Sequence, residues 1–357
     1  MTMSECGHSA MNIVRPLRLR IDASALVANW RWLEAQSGGA ACGAAIKDNG
    51  YGLGAIDVMN RLSGEGCRDF FVATWDEAAS LAPFVNGSSL SVLHGVGPDD
   101  MEVALRLPVR PVLNSIEQVA RWREVGAGRP CDVMVDTGMN RLGLRPEEVL
   151  GGALDGLEIH TLLSHLASAD EDGPQNGHQL KMFQIVKDWV PAHRYSLANS
   201  AGICLGSGYG FDLTRPGLAL YGGVPRREAR EHIRQVVYPE ARILQLRHVP
   251  QGEAVGYNAT WTATGERLIA TVNLGYADGY FRSHFGKGRA TWQSHSLPLV
   301  GRVSMDLTTF DASDVPGIGE GDWLAIDYDL FATAERSGLS QYELLTGLGA
   351  RYARVWS

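Results

Sequence analysis

The stretch AAIKDNGYGLGA, residues 44–55, ends a short apolar run on Lys47 and passes directly into a glycine-rich turn. The run before the lysine is nearly continuous in apolar character, as is typical of a strand buried on both faces. Tyr51 is the single aromatic residue of the turn and stands between two glycines. The stretch therefore predicts a buried strand whose carboxyl end carries a lysine.

Apolar, β-prone runs of this kind recur as far as residue 222, and most are separated by segments of helical length. They cover residues 42–47, 69–74, 90–95, 110–115, 131–136, 160–165, 193–198 and 217–222. Eight buried strands that alternate with helices predict a (β/α)8 barrel of the TIM type. A doubly wound sheet is the alternative, because alternation alone does not show that a sheet closes.

The character of the sequence changes near residue 235. Strand-like runs there alternate with glycine, proline and aspartate turns, and helical periodicity is weak. We therefore predict a flexible N-terminal tail over residues 1–15, an α/β barrel domain over 16–234, and a mainly β C-terminal domain over 235–357. The tail lacks the apolar segment of a secretory signal.

Composition excludes several classes of partner. Of the 357 residues, 45% are hydrophobic and 20% are charged, and the formal net charge is −8. An acidic chain is a poor match for nucleic acid or an anionic membrane surface, and no apolar run approaches the roughly 20 residues of a membrane span. Five scattered cysteines without a Cys-x-x-Cys pair indicate free thiols rather than disulfides or a zinc site. We expect a cytoplasmic protein with no nucleic-acid, membrane or metal partner.

Polar residues collect where the predicted strands end. In chain order they are Lys47, Asp136, Arg141, His165, Asn199 and Ser200, and Arg215 joins them at the start of the eighth run. Taken one at a time, each has an ordinary interpretation as a solvated, interior or ion-paired side chain. In a barrel, however, the strand ends share one rim, and barrel active sites lie on the carboxyl-terminal rim. We therefore expect these side chains to form one site.

Lys47 indicates the chemistry of that site. The Walker pattern is absent, and the apolar residues before the lysine indicate partial burial, which favours its neutral amine. A neutral amine attacks aldehydes to form a Schiff base. The turns NGYG (49–52) and NSAG (199–202) supply hydroxyls and backbone N–H groups that suit a phosphate. These features favour pyridoxal 5′-phosphate, with a sugar-phosphate aldolase as the less specific alternative.

Eight motifs resemble those of the alanine racemase family and occur in that family's order. They are IKDNGYGLGA (46–55), VDTGMNRLG (135–143), SHLASAD (164–170), ANSAG (198–202), RPGLALYGG (215–223), GYNATWTA (256–263), LGYADGY (274–280) and GRVSMDLTTFD (301–311). The resemblance implies a pyridoxal-phosphate-binding barrel, a C-terminal β domain, and a head-to-tail homodimer. Each active site would combine one chain's barrel with its partner's β domain. The implied reaction interconverts L- and D-alanine, to supply D-alanine for peptidoglycan or to degrade it.

The resemblance also implies the catalytic groups, carried over by motif position. Lys47 would hold the cofactor as an internal aldimine and handle the α-proton of the D enantiomer. Tyr276, from the other subunit, would handle that of the L enantiomer. Arg215 would face the pyridine nitrogen and, as a permanent donor, keep it unprotonated. His165 would join Tyr276 and Arg215 in a chain that tunes the tyrosine.

The remaining implied contacts concern the rest of the cofactor and the substrate. Arg141 would donate to the cofactor's phenolic oxygen and assist with the substrate carboxylate. The other cofactor-binding positions would be Tyr51, Asn199, Ser200, Gly217 and Tyr352. Met305 and Asp306 of the partner chain would lie near the substrate carboxylate and the entrance.

Two positions depart from the family's pattern. Met134 stands where the family often has a lysine, carbamylated in some members, that positions the arginine. Arg141 must then be braced otherwise, for example by a bound anion such as chloride. Leu53 replaces a usual histidine. Neither position touches the proposed bases, so the implied reaction class is unchanged.

Other functions stay open from the sequence. A broader-specificity racemase acting on serine or another amino acid would share the scaffold. A pyridoxal-phosphate decarboxylase would require a carboxylate at the Arg215 position, and a non-catalytic pyridoxal-phosphate-binding protein would lack the β domain and Tyr276. A metal-dependent hydrolase is disfavoured, because His160 and His165, at odd spacing, face opposite sides of one strand.

Overall fold

The computed structural model describes residues 14–126 and 128–357. The described chain forms two compact units. The first comprises Ile21–Tyr238, Tyr328–Leu348 and Trp356–Ser357, and the second comprises Pro239–Asp327, Gly349–Val355 and the described residues up to Arg20. Most of the tail predicted over 1–15 lies outside the described residues. Among the helices that are described, none is long and apolar enough to cross a membrane.

Strands and helices alternate through the first unit, after β1 (Leu17–Ile21) has opened the described chain. The strands are β2 (Ala41–Cys42), β3 (Ala44–Ala45), β4 (Asp69–Val72), β5 (Ser89–Val92), β6 (Arg110–Leu113), β7 (Cys131–Met134), β8 (Ile159–Leu163), β9 (Arg194–Ser196) and β10 (Leu213–Thr214). The helices are α1 (Ala23–Gln36), α2 (Lys47–Tyr51), α3 (Ala55–Glu65), α4 (Trp75–Leu81), α5 (Met101–Arg106), α6 (Ile116–Val125), α7 (Pro146–Leu150), α8 (Pro174–Trp189) and α9 (Ser200–Cys204), followed late in the chain by α10 (Leu330–Ser337) and α11 (Gln341–Thr346).

The parallel strands close into a barrel. β3 to β9 form one sheet in chain order, and β2 continues β3 across Gly43 and pairs in parallel with β10. On its other side β10 follows β9, since the Asp212 N–H donates to the Tyr195 carbonyl at 3.0 Å and the Arg215 N–H to the Ala198 carbonyl at 2.9 Å. The predicted TIM-like barrel is confirmed, and the doubly wound alternative is wrong.

One predicted strand is wrong in its position. The run 217–222 contains a 3₁₀ helix over Leu218–Tyr221, and the eighth strand is β10, just before it. All four residues of that helix are buried, so their apolar character signalled burial rather than β structure, which periodicity alone does not separate in short runs. Arg215 consequently follows the last strand and stands on the carboxyl-terminal rim.

The barrel interior is layered. An apolar cluster of Phe71, Val112, Met134, Leu163 and Leu213 lies below the rim. Nearer the amino ends of the strands, the fully buried Asp132 accepts hydrogen bonds from the Ser91 hydroxyl at 2.5 Å and the Arg110 guanidinium at 3.2 Å. A buried carboxylate is tolerated when its oxygens are paired in this way. The rim therefore stands on a packed and hydrogen-bonded base.

The second unit is mainly β, as predicted. Its strands are β11 (Val237–Val249), β12 (Ala254–Val255), β13 (Trp261–Thr262), β14 (Arg267–Val272), β15 (Arg289–Trp292), β16 (His295–Val300), β17 (Thr308–Asp311), β18 (Trp323–Ile326) and β19 (Ala353–Trp356). One eight-stranded sheet runs in the order β14-β17-β16-β15-β18-β11-β1-β19, and β14 also pairs antiparallel with β11. Val249, Val255, Ala263, Ile269 and Val300 form an apolar cluster in this unit.

The division between the units differs from the predicted boundary. It falls after Tyr238 rather than after residue 234, and 328–348, expected in the C-terminal domain, groups with the barrel. The Gln341 side chain donates to the Val224 carbonyl at 2.9 Å and accepts from the Val224 N–H at 2.8 Å. These long-range bonds attach α11 to the first unit, and nothing in the local sequence pattern signals them.

Candidate active site

A cavity of about 1010 Å³ is lined by side chains at the carboxyl ends of the barrel strands. The lining includes every site residue predicted within the barrel: Lys47, Tyr51, Arg141, His165, Asn199, Ser200, Arg215 and Gly217. Gln341 and Tyr342 of α11 also line it. Sequence reasoning missed those two, because their position depends on the long-range attachment of α11 to the barrel. The expectation that the strand-end residues share one rim is met.

Lys47 begins a turn of left-handed backbone. Asp48, Asn49 and Tyr51 have φ values of 53°, 52° and 53°, with Gly50 at 65° between them. The left-handed conformation costs about 1–2 kcal/mol for each residue with a Cβ, although asparagine and aspartate tolerate it best. The Asn49 side chain accepts from the Ala55 N–H at 3.1 Å, and Glu77 accepts from the Asp48 N–H. These contacts hold the turn that carries Lys47.

The environment of Lys47 favours its neutral amine. The side chain is half-buried, and burial followed by the nearby Arg141 guanidinium lowers the Lys47 pKa. The carboxylates of Glu77 and Asp48 act in the opposite direction but do not cancel the lowering. The neutral amine is the form that attacks a carbonyl carbon, and a lowered pKa increases the neutral fraction.

Arg215 and His165 both line the cavity, and they differ in charge. The buried Arg215 donates to the Ser164 carbonyl at 2.6 Å and to the Ser196 hydroxyl, and among the described residues it forms no ion pair. Burial lowers its pKa to about 10, so the guanidinium stays charged at neutral pH. Burial, and then the cations around it, lower the pKa of His165 to about 3. His165 is therefore a neutral imidazole at neutral pH.

Ser200, Gly217 and Tyr51 form a polar cradle at one end of the cavity. The Ser200 hydroxyl accepts from the Gly217 N–H at 2.9 Å and from the Ala219 N–H at 3.2 Å. A Cβ at position 217 would lie 2.3 Å from the Tyr51 hydroxyl, so only glycine permits this approach. The Tyr51 ring stacks on Tyr221 at 4.6 Å, and burial raises the Tyr51 pKa, which keeps the phenol protonated as a donor.

Hydrogen bonds from backbone N–H groups to the Asp136 side chain hold the loop that carries Arg141. Asp136 accepts from the N–H groups of Gly138, Met139 and Arg141 at 2.9, 2.7 and 3.0 Å. Burial opposes ionisation of Asp136, but these backbone donors outweigh it and the net pKa is lowered. Met134, at the position where the family often has a lysine, is buried and lines the cavity. The Asp136 carboxylate thus braces the loop of Arg141.

The other predicted site residues lie in the second unit. Tyr276 is half-buried, and its N–H donates to the Ser304 carbonyl at 3.0 Å. Met305, next in the chain, is 54% exposed. Tyr352 is buried. Tyr276, Met305 and Asp306 thus come together within one chain, whereas their roles stay predictions.

The donor set fits pyridoxal phosphate. An amine with a lowered pKa, a buried guanidinium that forms no ion pair within the described residues, and a hydroxyl-rich cradle line the same cavity. These groups match an aldehyde, a ring nitrogen that accepts a hydrogen bond, and a phosphate. Nowhere in residues 14–126 and 128–357 do three or more histidine, cysteine or carboxylate side chains cluster as metal ligands.

Arg141→Gln is expected to raise the Lys47 pKa, because it removes a cation that lowers it. Glu77→Gln is expected to lower that pKa further, because it removes an anion that raises it. Trace labelling of the cofactor-free protein with acetic anhydride across a pH series, read by mass spectrometry of the Lys47 peptide, measures both. Lys287 provides an internal control in each sample. Shifts of the same sign in the two variants would contradict the assigned electrostatics.

Two family models match the chain. The alanine racemase N-terminal domain matches residues 21–225, and the alanine racemase C-terminal domain matches residues 236–356. Together they cover both structural units along nearly the whole sequence.

Curated relatives and solved structures agree with these models. An alanine racemase of Acidiphilium cryptum is 43% identical over 349 residues, which are 94% of this chain and 98% of the relative. One of Methylobacterium nodulans is 43% identical, over 94% of this chain and 95% of the relative. A crystal structure of the Bartonella henselae alanine racemase, with covalently bound pyridoxal phosphate, has a TM-score of 0.88 and 34% identity over 97% of this chain and 100% of that chain. The resemblance read from the motifs is confirmed, and the chain belongs to the alanine racemase family.

Proposed function

We propose that this chain interconverts L- and D-alanine with pyridoxal phosphate, using Lys47 and Tyr276 as bases on opposite faces of the substrate. The observation that carries the proposal is the position of Lys47. Its half-buried amine, with a lowered pKa, shares one cavity with the Ser200–Gly217 cradle and the buried Arg215. A solvated surface lysine would have neither the burial nor these neighbours.

Pyridoxal phosphate, when bound, supplies an aldehyde for an amine and an electron-withdrawing ring that acidifies the α-proton of an attached amino acid. Tyr51, Ser200 and Gly217 would hold its phosphate, with Tyr352 as a further predicted contact. Arg215 would donate to its ring nitrogen and Arg141 to its phenolic oxygen. Asn199 would support this end of the site by capping α9, since its side chain accepts from the Gly202 N–H at 2.8 Å.

Racemisation requires that a proton leave one face of the α-carbon and that another arrive on the opposite face. Two bases on opposite faces perform both directions without any group crossing the plane. Lys47 takes the D-side proton, and its lowered pKa makes the required neutral amine accessible. Tyr276, contributed by the partner chain, takes the L-side proton. The phenol must lose its own proton before it can act as this base.

Arg215 limits the side reactions of the site. A guanidinium donates hydrogen bonds and accepts none, so Arg215 would keep the ring nitrogen of bound pyridoxal phosphate unprotonated. Arg215 would thereby acidify the substrate's α-proton less than a carboxylate would, and would make misplaced protonation, which leads to transamination, rarer. The neutral His165 relays hydrogen bonds toward the tyrosine without adding a further charge.

A homodimer with shared sites follows from this assignment. Lys47 and Tyr276 lie in different structural units, and the motif resemblance implies that two chains pair to bring them into one site. Met305 is 54% exposed beside Tyr276, as expected for a residue that completes the site of a partner. We propose that the dimer acts in the cytoplasm and supplies D-alanine or degrades it.

Proton NMR in deuterium oxide tests the activity. Purified protein with added pyridoxal phosphate is expected to remove the α-proton signal of L-alanine, while a chiral assay detects matching D-alanine. L-Serine under identical conditions measures the breadth of the substrate range, and ethylamine formation reports decarboxylation. Persistence of the alanine signal with a fully loaded cofactor would overturn the proposal, and exchange of serine alone would assign a different substrate.

A further inference from the structure

We propose that Arg351 is a positioning residue that sets the placement of Tyr276 and of the Met305–Asp306 loop. The inference rests on the proposed function, because it assigns a role to the support of Tyr276. Arg351 follows α11 and precedes β19, so it belongs to neither of the two loops that it joins. No motif in the sequence singles it out.

Arg351 binds a buried carboxylate with two parallel hydrogen bonds. Its Nε lies 2.6 Å from Asp278 Oδ1, and its Nη2 lies 2.7 Å from Asp278 Oδ2. The Asp278 side chain is fully buried, whereas that of Arg351 is 44% exposed. Bidentate guanidinium–carboxylate pairs combine charge with a fixed geometry, and removal of one partner leaves the buried carboxylate unpaired.

The same carboxylate is part of the turn that carries Tyr276. Tyr276–Asp278 form a single 3₁₀ turn, and Asp278 Oδ2 accepts from the Gly275 N–H at 2.9 Å. One Asp278 oxygen therefore receives both the Arg351 guanidinium and the backbone immediately before the tyrosine. Displacement of the carboxylate displaces the Tyr276 backbone with it.

The remaining nitrogen of the Arg351 guanidinium bonds to the neighbouring loop. Its Nη1 lies 2.6 Å from Asp306 Oδ1. That loop also contacts the tyrosine turn directly, because the Ala277 N–H donates to the Met305 carbonyl at 3.0 Å. A Cβ at Gly275 would lie 2.1 Å from that carbonyl oxygen, so the two backbones touch without an intervening side chain. Arg351 thus ties together two loops that are already in contact.

The positive charge of Arg351 gives this residue a second effect, on substrate binding. Hydrogen bonds to Asp278 and then to Asp306 raise the Arg351 pKa, so the guanidinium remains charged across the working pH range. An unpaired Asp306 close to the carboxylate of an amino-acid substrate would repel it. The ion pair with Arg351 offsets that repulsion, which predicts a higher KM when the arginine is neutralised.

A merely structural role and a positioning role predict different results. Loss of overall stability lowers the amount of active enzyme equally for both substrates. A displaced Tyr276 instead slows the proton transfer through this residue, both its removal from L-alanine and its return to form L-alanine, and a misplacement of about 1 Å can cost about 100-fold. The α-deuterium isotope effect distinguishes these cases, because the deuterium of L-alanine leaves through Tyr276 and that of D-alanine leaves through Lys47.

The experiment compares Arg351→Met with Arg15→Met in the pyridoxal-phosphate-loaded dimer. Arg15 donates to the carbonyls of Ala350 and Tyr352 at 3.1 and 3.2 Å, so its variant removes an arginine that contacts the segment around Arg351 without touching either carboxylate. We expect Arg351→Met to lower kcat/KM about 10- to 100-fold, to raise KM, and to raise the isotope effect for L-alanine but not for D-alanine. Arg15→Met is expected to match the wild type in both isotope effects.

Hydrogen–deuterium exchange supplies a readout that does not depend on activity. In Arg351→Met the peptides over 273–281 and 302–308 are expected to exchange faster than in the wild type, while the peptide that contains Lys47 is unchanged. Isotope effects that change equally for the two enantiomers relative to the wild type, or unchanged exchange in both peptides, would overturn the positioning role. If the wild type itself does not racemise alanine, the proposed function fails, whereas the exchange result still tests the Arg351 contacts. Arg351→Lys keeps the positive charge but lacks the planar guanidinium that makes two parallel hydrogen bonds. This variant is expected to recover KM more than kcat.

Discussion

A Lys47→Ala variant is expected to lose at least about 10⁴-fold of the alanine racemisation rate. This loss lies at the upper end of the range for removal of a general base, because Lys47 has a second task as the nucleophile that holds the cofactor. The variant is also expected to lose the covalent adduct that borohydride fixes between the protein and pyridoxal phosphate. Folding should persist, since a half-buried side chain at the cavity surface contributes little to packing.

The adduct can be assigned to a single residue, because the chain contains only four lysines: Lys47, Lys181, Lys187 and Lys287. After reduction, mass spectrometry of the tryptic peptides assigns the adduct to one of them. Lys47→Arg is the matched control, because it keeps the positive charge but has no neutral form to attack an aldehyde. An adduct on another lysine, or substantial activity in either variant, would contradict the assignment.

A Tyr276→Phe variant is expected to lose about 10²- to 10⁴-fold of the racemisation rate, the usual contribution of one general acid–base group. The cofactor adduct on Lys47 should be retained, because the two residues lie in different structural units. Tyrosine differs from phenylalanine by one hydroxyl oxygen, so the substitution removes the group that transfers the proton and keeps the aromatic ring. Retained adduct with lost turnover would separate the tyrosine's role from that of the lysine.

Hybrid dimers test whether the two residues act across chains. A Lys47→Ala chain and a Tyr276→Phe chain, co-expressed with different tags and purified through both, have one site with both bases and one with neither. A twofold symmetric dimer with shared sites is then expected to recover about half of the wild-type activity. Homodimers of each variant, purified in the same way, are the controls. Hybrids as inactive as those homodimers would contradict the shared site.

Much of the fold and of the site was predictable from local sequence. Seven apolar runs coincide with strands of the barrel, because strands buried on both faces must be apolar along their whole length. Lys47 and His165 were grouped from their places at strand ends and Arg215 from its place at the start of the eighth run, and all three line one cavity. Parallel strands in a barrel deliver their carboxyl ends to one rim, so order along the chain was enough to predict proximity in space.

The features that failed or were missed depend on long-range contacts. The run 217–222 is apolar because it is buried, yet only hydrogen bonding to β9 and β2 decides that 213–214 is the eighth strand. Helices α10 and α11 join the barrel through bonds such as that between Gln341 and Val224. A local pattern reports whether a segment is buried, but not which distant segment covers it.

The amino-acid sequence by itself therefore determined the barrel and the β domain, and its motif resemblance supplied Lys47 and Tyr276 as the proposed bases. Tertiary structure alone decided their electrostatic state: the lowered pKa of Lys47 and the neutral His165 result from burial and from cations brought close by folding. It also placed Arg351 on Asp278 and Asp306, residues 73 and 45 positions away along the chain. Charge interactions depend on distance and burial, and neither quantity is written in the local order of residues.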